Sequence, residues 1–338
     1  MKPKQDLRLG LDLTGADRTP EELAPAISRL RELYPQLSLR VYWPIYATIP
    51  EELLAGVTAV EHQHVSLSRL AILNRFLRRW RGVPHEGQPR ALEQGLGQLS
   101  IQLVDQVISM EDEPCTALRQ APHSALPLAI EALRRKEIDA LMSCGNTGAL
   151  VAAAQLGLPR LPGAKRLALG ARIPGIEGQA DWVLADCGAT LDPTADQLMR
   201  FAEWGADFAH RVLHKETLKI GLLNVGRESC KGPAVLREVY GRLMAGEGIH
   251  PEIHQFIGNV EPADVCAGEV DLVVTSGLMG NLLLKTLEFL HPAKGHHKGA
   301  ARILGVGDPV FKLHGQSTSD GLVAGVAEAL QQAGAEVG

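Results

Sequence analysis

Ser143-Cys144-Gly145-Asn146-Thr147-Gly148 is the stretch of this chain where residue types and spacing most plainly offer chemistry. It follows a short apolar run, Ala140 to Met142, that reads as a buried strand. It precedes Ala149-Leu-Val-Ala-Ala-Ala-Gln155, which reads as a helix opening at Thr147 or Gly148. Gly145 and Gly148 admit backbone conformations closed to residues with a Cβ and let a ligand approach closely. A helix starting there turns unpaired N–H groups and the positive end of its dipole into the mouth of the turn. Such an element favours an anion, most often phosphate. The same residues would also serve as a plain strand-to-helix connection. The stretch is neither G-x-x-x-x-G-K-[ST] nor G-x-G-x-x-G, so it licenses neither an NTPase nor a dinucleotide reading.

Other turns share this chemistry of small residues, Gly and Asn. They are Thr14-Gly15-Ala16-Asp17, Asp186 to Asp192, Asn224 to Gly232, Gly258-Asn259 and Gly277 to Asn281. Side-chain amides and backbone N–H groups can hold oxyanions without carrying charge. Lys231 adds a cation at the head of a helix, and Lys285 is a second candidate inside one. No Ser–His–Asp arrangement is visible from spacing, and G-x-S-x-G is absent. Cys144 and Cys187 each sit beside Gly near a helix start, where a thiolate would be favoured. Small buried cysteines are common filler, which is the plainer reading of both. His62-x-His64 and His296-His297 read as loop histidines, and no metal is expected.

Elements that would position these turns follow in alternation. Leu7 to Leu13 reads as a strand, and Glu21 to Leu33 as a helix with Thr19-Pro20 at its start. Leu37 to Trp43 and Leu99 to Ile108 are strands; Ser124 to Lys136 is a helix feeding the strand at Ala140. Beyond the glycine-rich turn come strands at Asp181 to Leu184, Leu218 to Leu223, His254 to Ile257 and Val270 to Thr275. Helices are expected at Thr194 to Val212, from Pro233, and at Leu322 to Gln332. This order means an α/β fold with a mostly parallel sheet covered on both faces. Its ligand belongs at the carboxyl ends of the strands. Residues 81–98 and 291–298 read as polar loops, the first of them mobile. Arg69 to Arg81 reads as a helix, either with Leu70, Leu73, Phe76 and Leu77 in the core and a solvated basic face, or with Arg75, Arg78, Arg79 and Arg81 docking an acidic partner.

At 338 residues the chain can bury a large core, and it is read as a single α/β domain over 1–338. A hydrophobic share of 45% with 22% charged residues is ordinary for a globular protein. Net charge of −5 argues against a general nucleic-acid surface. The opening Met1 to Asp6 is too polar and short for a signal peptide, and no apolar run approaches bilayer length. The cysteines Cys115, Cys144, Cys187, Cys230 and Cys266 are scattered without a C-x-x-C pair. Reduced thiols in the cytoplasm are expected.

S-C-G-N-T-G-A-L, A-D-C-G-A-T-L-D, G-L-L-N-V-G-R-E-S-C-K-G, F-I-G-N-V-E-P-A-D and G-E-V-D-L-V-V-T-S-G-L-M-G-N-L-L-L-K-T, in this order, resemble the PlsX phosphate acyltransferase family. Val107 to Pro114 joins the resemblance, which runs to Thr286 and resumes more weakly over Gly305 to Ser317. It implies transfer of a fatty acyl group from acyl carrier protein to inorganic phosphate, giving an acyl phosphate for phospholipid synthesis. It also implies a Rossmann-like three-layer α/β/α sandwich related to phosphotransacetylases and isocitrate dehydrogenase-like folds, a homodimer, no cofactor, and at most peripheral membrane association. The Ser143 to Gly148 turn and Lys231 would then hold phosphate, while Asn259 and Asn281 face the thioester oxygen. Lys231, Asn146, Asn281 and Ser276 carry catalysis in this reading. Ser143, Gly145, Asn146, Thr147, Gly148, Asp12, Asp17, Asp186, Gly188, Asn224, Asn259, Gly277 and His314 bind substrate.

Departures from the family pattern imply a diverged paralogue. The family's D-A-M-G-G-D-H-x-P stands here as Asp12 to Pro20, with Ala16 for a glycine and Arg18 for the histidine. Thr190 replaces an asparagine, and Gly226 to Gly232 replaces G-E-E-x-x-K-G. Ser276 stands where an aspartate is expected. Only Leu287 to Lys298 intervenes where the family carries long helices. Two further readings follow: a non-catalytic protein that binds an acyl carrier protein or partner enzyme, and a short-chain phosphotransacetylase that uses acyl-CoA.

Overall fold

The computed structural model describes residues 7–54, 57–61, 98–250, 253–290 and 299–336. The helix expected over Arg69 to Arg81, residues 81–97 of the first loop, the 291–298 loop and both histidine pairs lie outside the described residues.

Elements run β1 (Arg8–Asp12), α1 (Pro20–Leu33), β2 (Ser38–Pro44), α2 (Glu51–Leu54), β3 (Ala59–Glu61), β4 (Leu99–Val104), α3 (Pro114–Gln120), α4 (Ala125–Arg134), β5 (Ala140–Ser143) and α5 (Thr147–Gly157). They continue with β6 (Ala168–Ile173), β7 (Trp182–Ala185), α6 (Ala195–Leu213), β8 (Lys219–Leu223), α7 (Ala234–Met244), β9 (Gln255–Val260), α8 (Pro262–Cys266) and β10 (Leu272–Val274). The last are α9 (Gly277–Leu290), β11 (Ala301–Leu304), β12 (Val310–Lys312) and α10 (Ser319–Glu336). Contacts divide the chain into two compact units, Met1–Pro159 with Asp308–Gly338, and Arg160–Gly307.

In the first unit the strands stand in the order β3-β4-β2-β1-β5-β12, all parallel. Their runs of Leu9, Leu11, Val41, Leu141 and Met142 are buried, as strands covered on both faces require. Thr19 caps α1 through a reciprocal capping box with Glu22, and Pro20 occupies the first helical position. The strand register matters for function. Asp12 on β1 aligns with Ser143 on β5, and Ser143 aligns with Lys312 on β12. Three polar residues thus end three neighbouring strands in one row.

The second unit orders its strands β11-β6-β7-β10-β8-β9. Here β6 pairs antiparallel with both β11 and β7, while the remaining ladders are parallel. Helix α6 covers β6, β7 and β10 with buried Leu198, Phe201, Ala202 and Phe208. The mostly parallel α/β architecture expected from the alternation is therefore present, with strands β3, β6, β11 and β12 added to it. Two turns read from the sequence are not turns. Gly258-Asn259 lies inside β9, and Gly277 to Asn281 forms the opening of α9. Among the described residues no helix is long and apolar enough to cross a membrane.

Candidate functional site

The polar residues singled out above fall into a group in each unit. In the first, β5 ends at Ser143 and α5 begins at Thr147, so the glycine-rich turn is as short as its spacing suggests. Its inner polar groups satisfy one another. Ser143 Oγ donates to Asp12 Oδ2 at 2.7 Å and accepts from the Gly145 amide at 3.1 Å. Asp12 Oδ1 accepts from the Thr14 amide and hydroxyl at 3.0 and 2.7 Å. Burial pushes the Asp12 carboxyl upward against those hydrogen bonds.

Asn146 is the N-cap of α5, its Oδ1 accepting from the Ala149 amide at 3.0 Å. Its Nδ2 donates to the carbonyls of Ser109, Met110 and Asp112 at 3.0–3.3 Å. Both ends of this amide are engaged within the protein, so Asn146 builds the turn and does not offer its side chain to phosphate. What the turn leaves for a ligand is the first-turn donor set of α5 at Thr147 and Gly148. Gly148 is exposed and Thr147 partly so. Room there depends on glycine: a Cβ on Gly148 would come within 2.5 Å of Pro114, and one on Gly145 within 2.8 Å of the Thr14 carbonyl.

Asp17 is exposed and lies near Gly315, whose hypothetical Cβ would sit 3.2 Å from Asp17 Oδ2. His314 is partly buried, with Nδ1 accepting from the Gln316 amide at 3.3 Å. Lys312 is a site residue that its sequence context does not mark. It is 7% exposed, and its ammonium donates to the carbonyls of Cys144, at 3.3 Å, and Leu313. A lysine flanked by Phe311 and Leu313 in a short strand reads as a solvated position, and only its step before His314-Gly315 hinted otherwise. Cys144 beside it is buried, and its thiol is pushed up to about 12 by desolvation, which removes the thiolate reading. Burial likewise drives the Cys187 thiol well above its ordinary value.

In the second unit, Asp186 is buried and gathers the turn that follows β7. Its Oδ1 accepts from the amides of Leu169, Gly188 and Ala189 at 2.8–2.9 Å, and its Oδ2 from Thr190 at 2.6 Å. Gly277 closes on this turn, its amide donating to the Thr190 carbonyl at 2.8 Å. Gly188 lies beside Asn281, at a distance of 3.8 Å for a hypothetical Cβ. Asn281 is partly exposed and has no side-chain hydrogen bond among the described residues. Ser276 Oγ accepts from the Met279 amide at 3.3 Å and so caps α9.

Asn224 braces the loop after β8, accepting from the Val225 amide at 2.8 Å and donating to the Lys231 carbonyl at 3.1 Å. Asn259 Nδ2 donates to the Glu228 carbonyl at 2.9 Å, while its buried Oδ1 has no hydrogen-bond partner among the described residues. The Glu228 carbonyl fixes the orientation of that amide, so Asn259 turns an acceptor, not a donor, away from the loop. That runs against its expected role at the thioester oxygen. Lys231 is exposed, and no carboxylate pairs with its ammonium among the described residues. Lys285 is exposed on α9.

Residues 91–296 match the family described as fatty acid synthesis protein. The chain is 37% identical over 233 residues to the phosphate acyltransferase of Syntrophomonas wolfei subsp. wolfei, covering 66% of this chain and 69% of that one. It is 27% identical over 356 residues to the phosphate acyltransferase of an Exiguobacterium species, covering 96% and 94%. Among solved structures it resembles a phosphotransacetylase from Streptococcus pyogenes, with TM-score 0.62 at 16% identity, covering 99% of this chain and 95% of that one. A branched-chain phosphotransacylase from Enterococcus faecalis gives TM-score 0.58 at 15% identity, covering 97% and 99%. At such identity these two likenesses establish the fold.

Proposed function

Given that the chain belongs to the PlsX phosphate acyltransferase family, we propose that it moves a fatty acyl group from an acyl carrier protein thioester to inorganic phosphate. The observation that carries this reading is the turn at Ser143 to Gly148. Its inner groups are tied down by Asp12, Ser143 and Asn146, while the α5 amides of Thr147 and Gly148 remain for an anion. Pre-set donors of this kind need no reorganisation when a tetrahedral dianion arrives.

Phosphate near neutral pH is itself a nucleophile, so the protein has only to hold it against the acyl carbon. A phosphate oxygen forms the new C–O bond as the C–S bond breaks, and the sulfur leaves as thiolate. Charge gathers on the carbonyl oxygen in between. Taken by itself, the second unit has an uncommitted amide at Asn281 and, among the described residues, an ammonium at Lys231 that no carboxylate pairs, both suited to an oxyanion. Asp186, Gly188 and Gly277 shape the turn after β7 against the start of α9, which carries Asn281, and Asn224 braces the loop that carries Lys231.

The test is a turnover assay in which acyl carrier protein thioesters and acyl-CoA are offered separately and acyl phosphate is trapped with hydroxylamine. Phosphate-dependent product from the carrier-protein thioester supports the proposal. Product from short acyl-CoA alone supports a phosphotransacetylase. No product with any thioester, together with retention of carrier protein, supports a binding role.

A further inference from the structure

We propose that Lys312 is a positioning residue of the phosphate site, its buried ammonium compensating the buried carboxylate of Asp12 so that the Ser143 to Gly148 turn accepts an anion. The inference rests on the reading of that turn as the phosphate site. Asp12, Ser143 and Lys312 end β1, β5 and β12 in register, which sets the Cα atoms of Asp12 and Lys312 about 10 Å apart across two strand spacings. Asp12 is wholly buried and receives hydroxyl and amide donors only: among the described residues no cation lies within ion-pair distance of it. A negative charge held so close beneath the turn opposes a phosphate dianion. Lys312 approaches from the other side of Ser143 and grips the Cys144 carbonyl within the same turn.

The two groups feel one another through the protein. The Lys312 charge favours ionised Asp12, and the Asp12 charge favours protonated Lys312, each against the opposing effect of burial. Cys144 and Asp17 also face the ammonium, but Cys144 stays a neutral thiol and Asp17 is solvated. Lys312 therefore acts on phosphate through Asp12 and the turn, not by touching it. A unit charge left uncompensated within about 10 Å of a bound anion in a protein interior changes its affinity roughly tenfold or more.

The experiment is a double-mutant cycle on Michaelis constants. K312M is expected to raise the KM for phosphate roughly tenfold with less than about a twofold change in the KM for the thioester. D12N placed in the K312M background is expected to restore much of the phosphate KM, because it removes the charge left uncompensated. A purely structural lysine would give losses that add in the D12N/K312M protein relative to D12N and K312M alone. K312Q keeps donors for the Cys144 and Leu313 carbonyls without the charge, and it carries the same test if K312M does not fold. An unchanged phosphate KM in both Lys312 variants, or additive losses in the cycle, overturns the assignment while leaving the phosphate reading standing. A wild-type protein that forms no acyl phosphate overturns both.

Discussion

Cys144 and Cys187 each stand beside a glycine at the mouth of a polar turn, where a thiolate is ordinarily favoured. Burial decides the matter the other way, with the Cys144 thiol held up to about 12 and Cys187 well above its usual value. At pH 8 both remain thiols. Alkylation of the native protein at that pH, followed by peptide mass spectrometry, is therefore expected to label the exposed Cys115 and Cys230 and to spare Cys144 and Cys187 until the chain is denatured. Label on native Cys144 would reopen the nucleophile reading. Asn146 shows a similar reversal. Its amide links the start of α5 to the Ser109 to Asp112 carbonyls, so Asn146→Ala is expected to cost about 1–2 kcal/mol of stability from the lost cap alone, with turnover falling as the turn loosens. Unchanged melting would mean the cap is not needed. Ser276 replaces the aspartate that the family pattern leads one to expect, yet its hydroxyl caps α9. An aspartate would cap the same amide and add a charge favourable to the helix dipole. Ser276→Asp is thus expected to be neutral or stabilising by a few tenths of a kcal/mol, and a large loss in thermal denaturation would contradict the capping account.

Helix α9 shows how one element can depend on an absent side chain. A Cβ on Gly280 would come 1.9 Å from the Asp186 carbonyl oxygen, a backbone atom that cannot swing aside. Gly280→Ala is expected to destabilise the protein by about 1–3 kcal/mol as the helix is pushed from the turn after β7, measured by denaturant unfolding. A change below a few tenths would refute that packing. The elements that could be read in advance were those with strong local signals. The Thr19-Pro20 start of α1 and the alternation in β1 are examples, as is the polar break between β5 and α5. Glu113-Pro114 is an equally good start for α3, with Glu113 capping two amides, but it closes the polar stretch Ser109 to Pro114 and the short helix after it lacks apolar periodicity to mark it. Strand β6, Ala-Leu-Gly-Ala-Arg-Ile, has no clear alternation; Pro162-Gly163 and Pro174-Gly175 bound it, but a short run of small and aliphatic residues between turns does not by itself separate a buried strand from a helical segment. Gly258 at φ +99° sits where the β8–β9 register shifts, and a glycine at such an irregularity looks like a turn when only its type is known. The antiparallel pairing of β6 is also hidden, because strand direction follows from connections that residue types do not encode. Lys312 needed the fold: only the pairing of β12 with β5 brings it alongside Ser143.

Net charge of −5 spread over an α/β chain fits a small-molecule and thioester enzyme better than a nucleic-acid surface. Leu278, Leu282, Phe289 and Leu290 leave much apolar surface exposed along α9, and family resemblance implies a homodimer. Light scattering on the purified protein is expected to give a mass about twice the 36.4 kDa chain; a monomer at all concentrations would contradict that. The most direct test of the central claim uses inorganic phosphate labelled with 18O on every oxygen, incubated with the protein and an acyl carrier protein thioester. The account predicts an acyl phosphate whose mass carries all of the label, formed at a rate that depends on phosphate concentration. Free fatty acid without label, released equally fast with no phosphate present, would contradict it.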